Sequence, residues 1–193
     1  EYWVFGLKIA CQWRERMGLA PEKKWLDVME KLAVPTIVNN TYMAQENCPE
    51  TFEKVNTDHP SMLCAYGLIP GSRIQPEVMD NTLTRVLNEW QFPTMWGWDF
   101  GVIAMTATLL GRPDVAVDIL LKETEKNCYV LSGNNRQMTR KDLPLYLPGN
   151  GSLLLAVAMM AAGYKGCDRN TPGFPDDGNW TVEFENIRPF WFA

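Results

Sequence analysis

The chain has 193 residues, 46% of them hydrophobic and 21% charged, and a net charge of -5. That is the length and composition of a single ordinary globular domain. An acidic balance without a basic stripe argues against nucleic acid as a partner, and no run approaches the roughly 18 apolar residues of a membrane span.

The five cysteines have no C-x-x-C spacing, and the chain contains one histidine. A zinc cluster is therefore not expected; the thiols read as buried and free, and no metal or cofactor is called for. The chain begins at Glu1 without Met, and Glu1-Tyr2-Trp3-Val4-Phe5 enters a helical pattern with no capping residue before it. This start reads as the inside of a larger protein, so a site shared between two halves would be incomplete here.

Tyr2, Phe5, Ile9, Trp13 and Met17 recur at helical spacing, and Gly18 closes that helix. Pro21 and Glu22 open a second helix over 22–32, giving an antiparallel hairpin. Residues 33–58 lose periodicity: Ile37-Val38 followed by Asn39-Asn40 reads as a short extended piece and a turn, then a long loop passes Glu46. A short apolar helix over 60–69 ends at Pro70-Gly71. Pro76 opens the next, which carries Val78, Met79, Leu83 and Trp90.

Residues 94–100 form an aromatic loop, Thr94-Met95-Trp96-Gly97-Trp98-Asp99-Phe100, ahead of an apolar helix over 101–110. A partner helix follows over 114–121, and the charges of 122–126 read as its solvated end. Residues 132–148 are polar and irregular, and 152–162 form another buried helix. Beyond the Gly173–Gly178 turns, Trp180, Val182, Phe184 and Ile187 alternate as in a strand. The expected fold is mainly α, built of antiparallel helical hairpins, with a short C-terminal β segment. Residues 1–170 would be the helical domain and 171–193 a turn-rich linker and strand.

Three groups carry chemistry. Asp58 and His59 precede a helix, where the carboxylate is either a cap or a cleft residue and the imidazole donates to a substrate hydroxyl, shuttles a proton or merely fixes the loop. Asp99 stands beside Trp96 and Trp98; it reads as a general base, a hydroxyl ligand or a cap, with the aromatic faces as platforms for sugar rings. Asn135, Arg136 and Gln137, together with Tyr146 and Asn150, offer amides, a guanidinium and a phenol suited to hydroxyl or carboxylate contacts. Glu46 is a further carboxylate candidate. A protein-binding helical scaffold is the reading from another class, although the hairpins share no fixed period.

The runs His59-Pro60-Ser61-Met62-Leu63, Leu68-Ile69-Pro70-Gly71, Thr94-Met95-Trp96-Gly97-Trp98 and Leu147-Pro148-Gly149-Asn150-Gly151 occur in an order that resembles the C-terminal half of (α/α)6-barrel glycoside hydrolases. The likeness is to the family 95 fucosidase and galactosidase group, to the related family 65 enzymes and to glycoside-hydrolase-like proteins of gut Bacteroidetes. It implies part of an (α/α)6 toroid, a saccharide substrate and a periplasmic or extracellular setting. It also implies an inverting mechanism, whose acid and base sit about 6.5–9.5 Å apart across the sugar. The acid of that group lies upstream of the matched region. Its base is an Asp just before a Gly-Asn pair, where this chain has Pro148, so Asp99, Asp58 and Glu46 become the candidates. Half a toroid would leave apolar faces bare, which predicts self-association or docking of a missing N-terminal portion.

Overall fold

The computed structural model describes residues 1–69 and 71–190. It is mainly helical, with eight α-helices and two short antiparallel hairpins among the described residues. Helices α1 (Tyr2–Arg16) and α2 (Lys23–Lys31) pack together as the first helical hairpin. Pro21 precedes α2 rather than opening it; Glu22 is the N-cap, and its carboxylate accepts the Lys24 N–H. The apolar stripe foreseen on α1 is largely uncovered: Tyr2, Trp3, Trp13 and Met17 are exposed and only Val4 is buried. Arg73 ties this hairpin to the rest by donating to Glu1 and to the Leu32 carbonyl.

Residues 33–58, expected to be mostly loop, contain β1 (Ile37–Val38), β2 (Thr41–Tyr42) and α3 (Thr51–Lys54). Asn39 and Asn40 lie at φ 50° and 60°, the paired left-handed geometry of a two-residue hairpin turn. The hairpin is fastened to α5 (Pro76–Glu89) by the Tyr42 N–H, which donates to Thr82 Oγ1 at 2.8 Å. The expected helix over 60–69 is a 3-10 turn, Ser61–Leu63, running into α4 (Cys64–Gly67). Pro70, its expected stop, lies outside the described residues.

Helix α6 (Gly97–Leu109) is the centre of the core, and every residue from Asp99 to Thr108 is buried. A helix apolar on all sides has to be surrounded, and α6 packs against α4, α7 (Pro113–Leu121) and α8 (Leu147–Ala162). Its first turn and that of α8 both touch the Asn135 side chain, and Gly101 lies against Ser152. The Ser152 hydroxyl donates to the Trp98 carbonyl at 2.6 Å. The two helices therefore start at the same end and run parallel, with α7 carrying the chain back between them. Gly101 is what permits the close approach, since a Cβ there would collide with Ser152.

Both of these helices begin earlier than expected. The aromatic loop is in part the first turn of α6, and Pro148 is the second residue of α8. A second hairpin, β3 (Cys128–Tyr129) with β4 (Asn135–Arg136), precedes α8.

The C-terminal strand is not formed. Residues 180–187 make no ladder, and Trp180, Phe184 and Ile187 are exposed. Their alternation has no neighbouring strand to supply hydrogen bonds, and an unpaired strand is not stable. The tail instead returns to α8: the Gly173 N–H donates to the Met160 carbonyl at 3.0 Å, and Phe190 makes a single parallel bridge with Tyr164. Residues 191–193 of the expected β segment lie outside the described ones.

Candidate functional site

The site begins with the left-handed backbone of Asp58, at φ 61°. A non-glycine residue is held there only when its surroundings impose it. Here the Asp58 N–H donates to Thr94 Oγ1 at 2.9 Å, and its carbonyl accepts the Trp90 indole N–H at 2.9 Å. Asp58 is therefore not a helix cap, and its carboxylate remains exposed. The turn aims the next residue, His59, at the start of α6.

His59 Nδ1 lies 3.0 Å from both carboxylate oxygens of Asp99. Its other nitrogen, Nε2, is 3.3 Å from the Asp58 carboxylate. Asp99 is the third residue of α6 and reaches back to accept the Trp96 N–H at 2.7 Å, a capping contact at the positive end of the helix. Only 3% of Asp99 is exposed. The three side chains form a line from core to solvent: buried carboxylate, half-buried imidazole, exposed carboxylate.

Burial pushes the Asp99 carboxyl up from its ordinary 3.8, while the His59 and Trp96 hydrogen bonds pull it back down. The hydrogen bond to Asp99 lifts the His59 imidazole above its ordinary 6.5; desolvation opposes this, and the charges of Asp99 and Asp58 add to it. The Trp98 indole N–H also points at His59 Nδ1, at 2.9 Å. One nitrogen cannot donate to Asp99 and accept from Trp98 at once. The charge-assisted bond is the stronger, so Nδ1 carries the proton and donates to Asp99. Trp98 becomes its partner when that proton leaves.

Of the three readings of Asp99, general base, hydroxyl ligand or cap, its burial and its bond to the Trp96 N–H favour the cap and shield it from direct contact with a ligand. It acts through His59, orienting the ring and stabilising its charged form. The group turned toward solvent is His59 Nε2 beside Asp58. Because the two carboxylates flank opposite nitrogens, the three side chains do not face a common point. Among the described residues no cluster of three His, Cys, Asp or Glu side chains is arranged to hold a metal ion.

Trp96 forms the wall next to this line. The His59 ring centre lies 6.0 Å from its ring centre and that of Tyr146 5.5 Å. Tyr146 caps α8, and burial, with the Asp99 and Asp58 charges behind it, holds its phenol above the ordinary 10.0. Trp98 stands edge-on to His59 at 5.2 Å, so it braces the imidazole rather than offering a free platform.

The third group serves a different purpose. Asn135 and Gln137 are fully buried. Asn135 Nδ2 donates to the Lys126 and Cys128 carbonyls, and its Oδ1 accepts from Gln137 Nε2 at 2.8 Å. The Asn150 side chain accepts the Asn135 N–H and donates to the Gly133 carbonyl. These amides, expected as saccharide contacts, instead stitch the β3–β4 hairpin to the start of α8 and pack it against Gly97 at the start of α6. Gln137 Oε1 is left buried without a partner. Arg136 is exposed. Glu46 is also exposed, on a separate cavity of about 280 Å³ lined by Pro35, Tyr42 and Met62 among others.

Two side chains at the Trp96 ring were missed. Lys126, expected in a solvated helix end, is buried with its Nζ 5.0 Å from the ring centre, and Arg140 Cζ lies 5.7 Å away. The clue available in the sequence was only that Lys126 follows the end of α7 and so is free to turn inward.

Comparison with family models, with curated proteins and with solved structures finds no match to this chain. What the site can do therefore rests on its geometry. A buried carboxylate behind a half-exposed imidazole is an arrangement for accepting and returning a proton. No helix among the described residues is long and apolar enough to cross a membrane.

Proposed function

We propose that this chain carries the proton-transfer side of a saccharide site, within the C-terminal part of an (α/α)6 glycoside-hydrolase-like protein. The observation that supports this most is the contact of His59 Nδ1 with both oxygens of buried Asp99, which leaves Nε2 turned outward beside Asp58. In this reading Nε2 takes a proton from water as the water oxygen bonds to the anomeric carbon. The sugar's bond to its leaving oxygen breaks, and that oxygen is protonated by an acid from another part of the protein. Asp99 stabilises the imidazolium and Asp58 orients the water. The parallel α6 and α8, joined through α7, support this reading as one helix–helix–helix unit of the kind that a toroid would repeat. The exposed faces of α1 (Tyr2, Trp3, Trp13) and α8 (Leu147, Leu154) are where a further portion of the protein or a second copy would dock.

One observation favours a second reading, non-catalytic saccharide binding. Pro148 occupies the position of the resembled enzymes' base and can take no proton. The two are separated by assaying the complete protein on a panel of aryl glycosides and oligosaccharides, with His59→Gln as the variant. Loss of about 100-fold or more in kcat with KM little changed supports proton transfer by His59. Hydrolysis unaffected by the substitution rejects it, and saccharide binding without turnover in either protein selects the binding reading.

A further inference from the structure

Trp96 is surrounded by charge. Lys126 Nζ, Arg140 Cζ and the His59 and Tyr146 rings all lie within 6.0 Å of its ring centre. The cation that matters most is Lys126. Lysine is seldom buried without a counter-charge, because removing an ammonium from water is costly. Lys126 is 7% exposed, and among the described residues no carboxylate comes within ion-pair reach of it. Its one contact of electrostatic kind is the Trp96 face, which compensates an ammonium only partly. Nor is the ammonium sealed in, since the one fully enclosed, unpartnered side-chain polar atom among the described residues is Gln137 Oε1.

The negative charges nearby are already engaged. Asp99 accepts from His59 and Trp96, Asp58 faces His59 Nε2, and Asp142 pairs with Arg140 at 2.6 Å. The cation nearest the Trp96 ring is therefore left over, on the ring that the half-buried imidazole also borders. Such a charge is fitted to an anion that arrives with the ligand.

Building on the saccharide reading above, we infer that the site takes a sugar bearing a carboxylate, with Lys126 receiving the carboxylate while the reacting oxygen lies at His59. The sugar would span the Trp96 wall between the two. Arg140, exposed on the Trp96 ring and paired with Asp142, can swing to the same carboxylate.

The test is tryptophan-fluorescence and NMR titration of the 193-residue chain with methyl glycosides of glucuronate and galacturonate, and with those of glucose and galactose. The wild-type chain and Lys126→Met are compared; the methionine keeps the length and apolar stem of the lysine, and thermal melts confirm that the variant is folded. The inference predicts uronosides binding tenfold or more tighter than neutral sugars in the wild type, on the order expected of one charge-assisted hydrogen bond, with the preference lost in Lys126→Met. Should Lys126→Met not fold, raised salt replaces it as the probe, and the preference should shrink as salt rises. Equal binding of charged and neutral sugars overturns the inference and leaves the saccharide reading standing. Uronoside preference that survives in folded Lys126→Met overturns the role of Lys126. Failure of every sugar to bind overturns both.

Discussion

Two polar clusters sit at the start of α6, and they differ in what they leave unfinished. The Asn135–Gln137–Asn150 cluster bonds almost wholly to itself and to backbone carbonyls, and it is largely shut away from solvent. The Asp58–His59–Asp99 line is complete at its buried end and open at the other, where His59 Nε2 and Asp58 meet water. Polar residues of similar appearance in the sequence thus have opposite jobs. Where buried amides bond to one another and to backbone carbonyls, with Gln137 Oε1 left unpartnered, the cluster holds the fold; where an imidazole is oriented from behind and half-open in front, beside the exposed Asp58, the cluster can do chemistry.

The sharpest way to break this contrast is to disturb the first cluster's surroundings. Gly101→Ala places a methyl group into Ser152 at the α6–α8 contact. It should cost about 3 kcal/mol or more in urea unfolding, as overpacking of a rigid backbone contact does. A loss under about 1 kcal/mol would show that the two helices are not held where the core places them. In the second cluster, Asp99→Asn should lower turnover by about tenfold or more while leaving KM nearly unchanged, because it removes the charge behind His59 and not a ligand contact. Trp98→Phe keeps an aromatic ring edge-on to His59 and removes an N–H that the protonated Nδ1 cannot accept; the expected effect is within about 1 kcal/mol of stability, read in the same unfolding assay. Glu46→Gln, on the separate cavity, should leave turnover unchanged and stability within about 0.5 kcal/mol.

The pH dependence follows from the same pair. His59 is held above its ordinary 6.5 in the folded chain, so its contact with Asp99 stabilises fully below pH 6.5 and is lost as pH rises through the raised value. Asp99, raised by burial, works in the same direction at lower pH: the folded state favours its neutral form, and that preference fades as pH climbs from 3.8 through its folded value.

The helices were legible because their apolar spacing and their glycine and proline stops are local. Their starts were less so. Gly97 and Pro148 both read as loop residues, yet each sits in the first turn of a helix, where a missing side chain or a missing N–H does no harm. The pairing of His59 with Asp99 spans 40 residues, and nothing local announces it. The burial of Asn135 and Gln137 depends on Gly97 and Gly149, the small residues that make room for the amide. The tail failed for a related reason: the alternation of Trp180, Val182, Phe184 and Ile187 is a true strand pattern, but a strand also needs a neighbour, and no residue's identity supplies one.

The central claim is that Asp99 turns His59 into the proton-transfer group, and it is open to one direct measurement because the chain has a single histidine. An NMR titration of the His59 ring in the wild type and in Asp99→Asn reads its pKa without any assignment problem. The account predicts a wild-type midpoint above 6.5 that falls in the variant. A midpoint at or below 6.5, unmoved by the substitution, would contradict it.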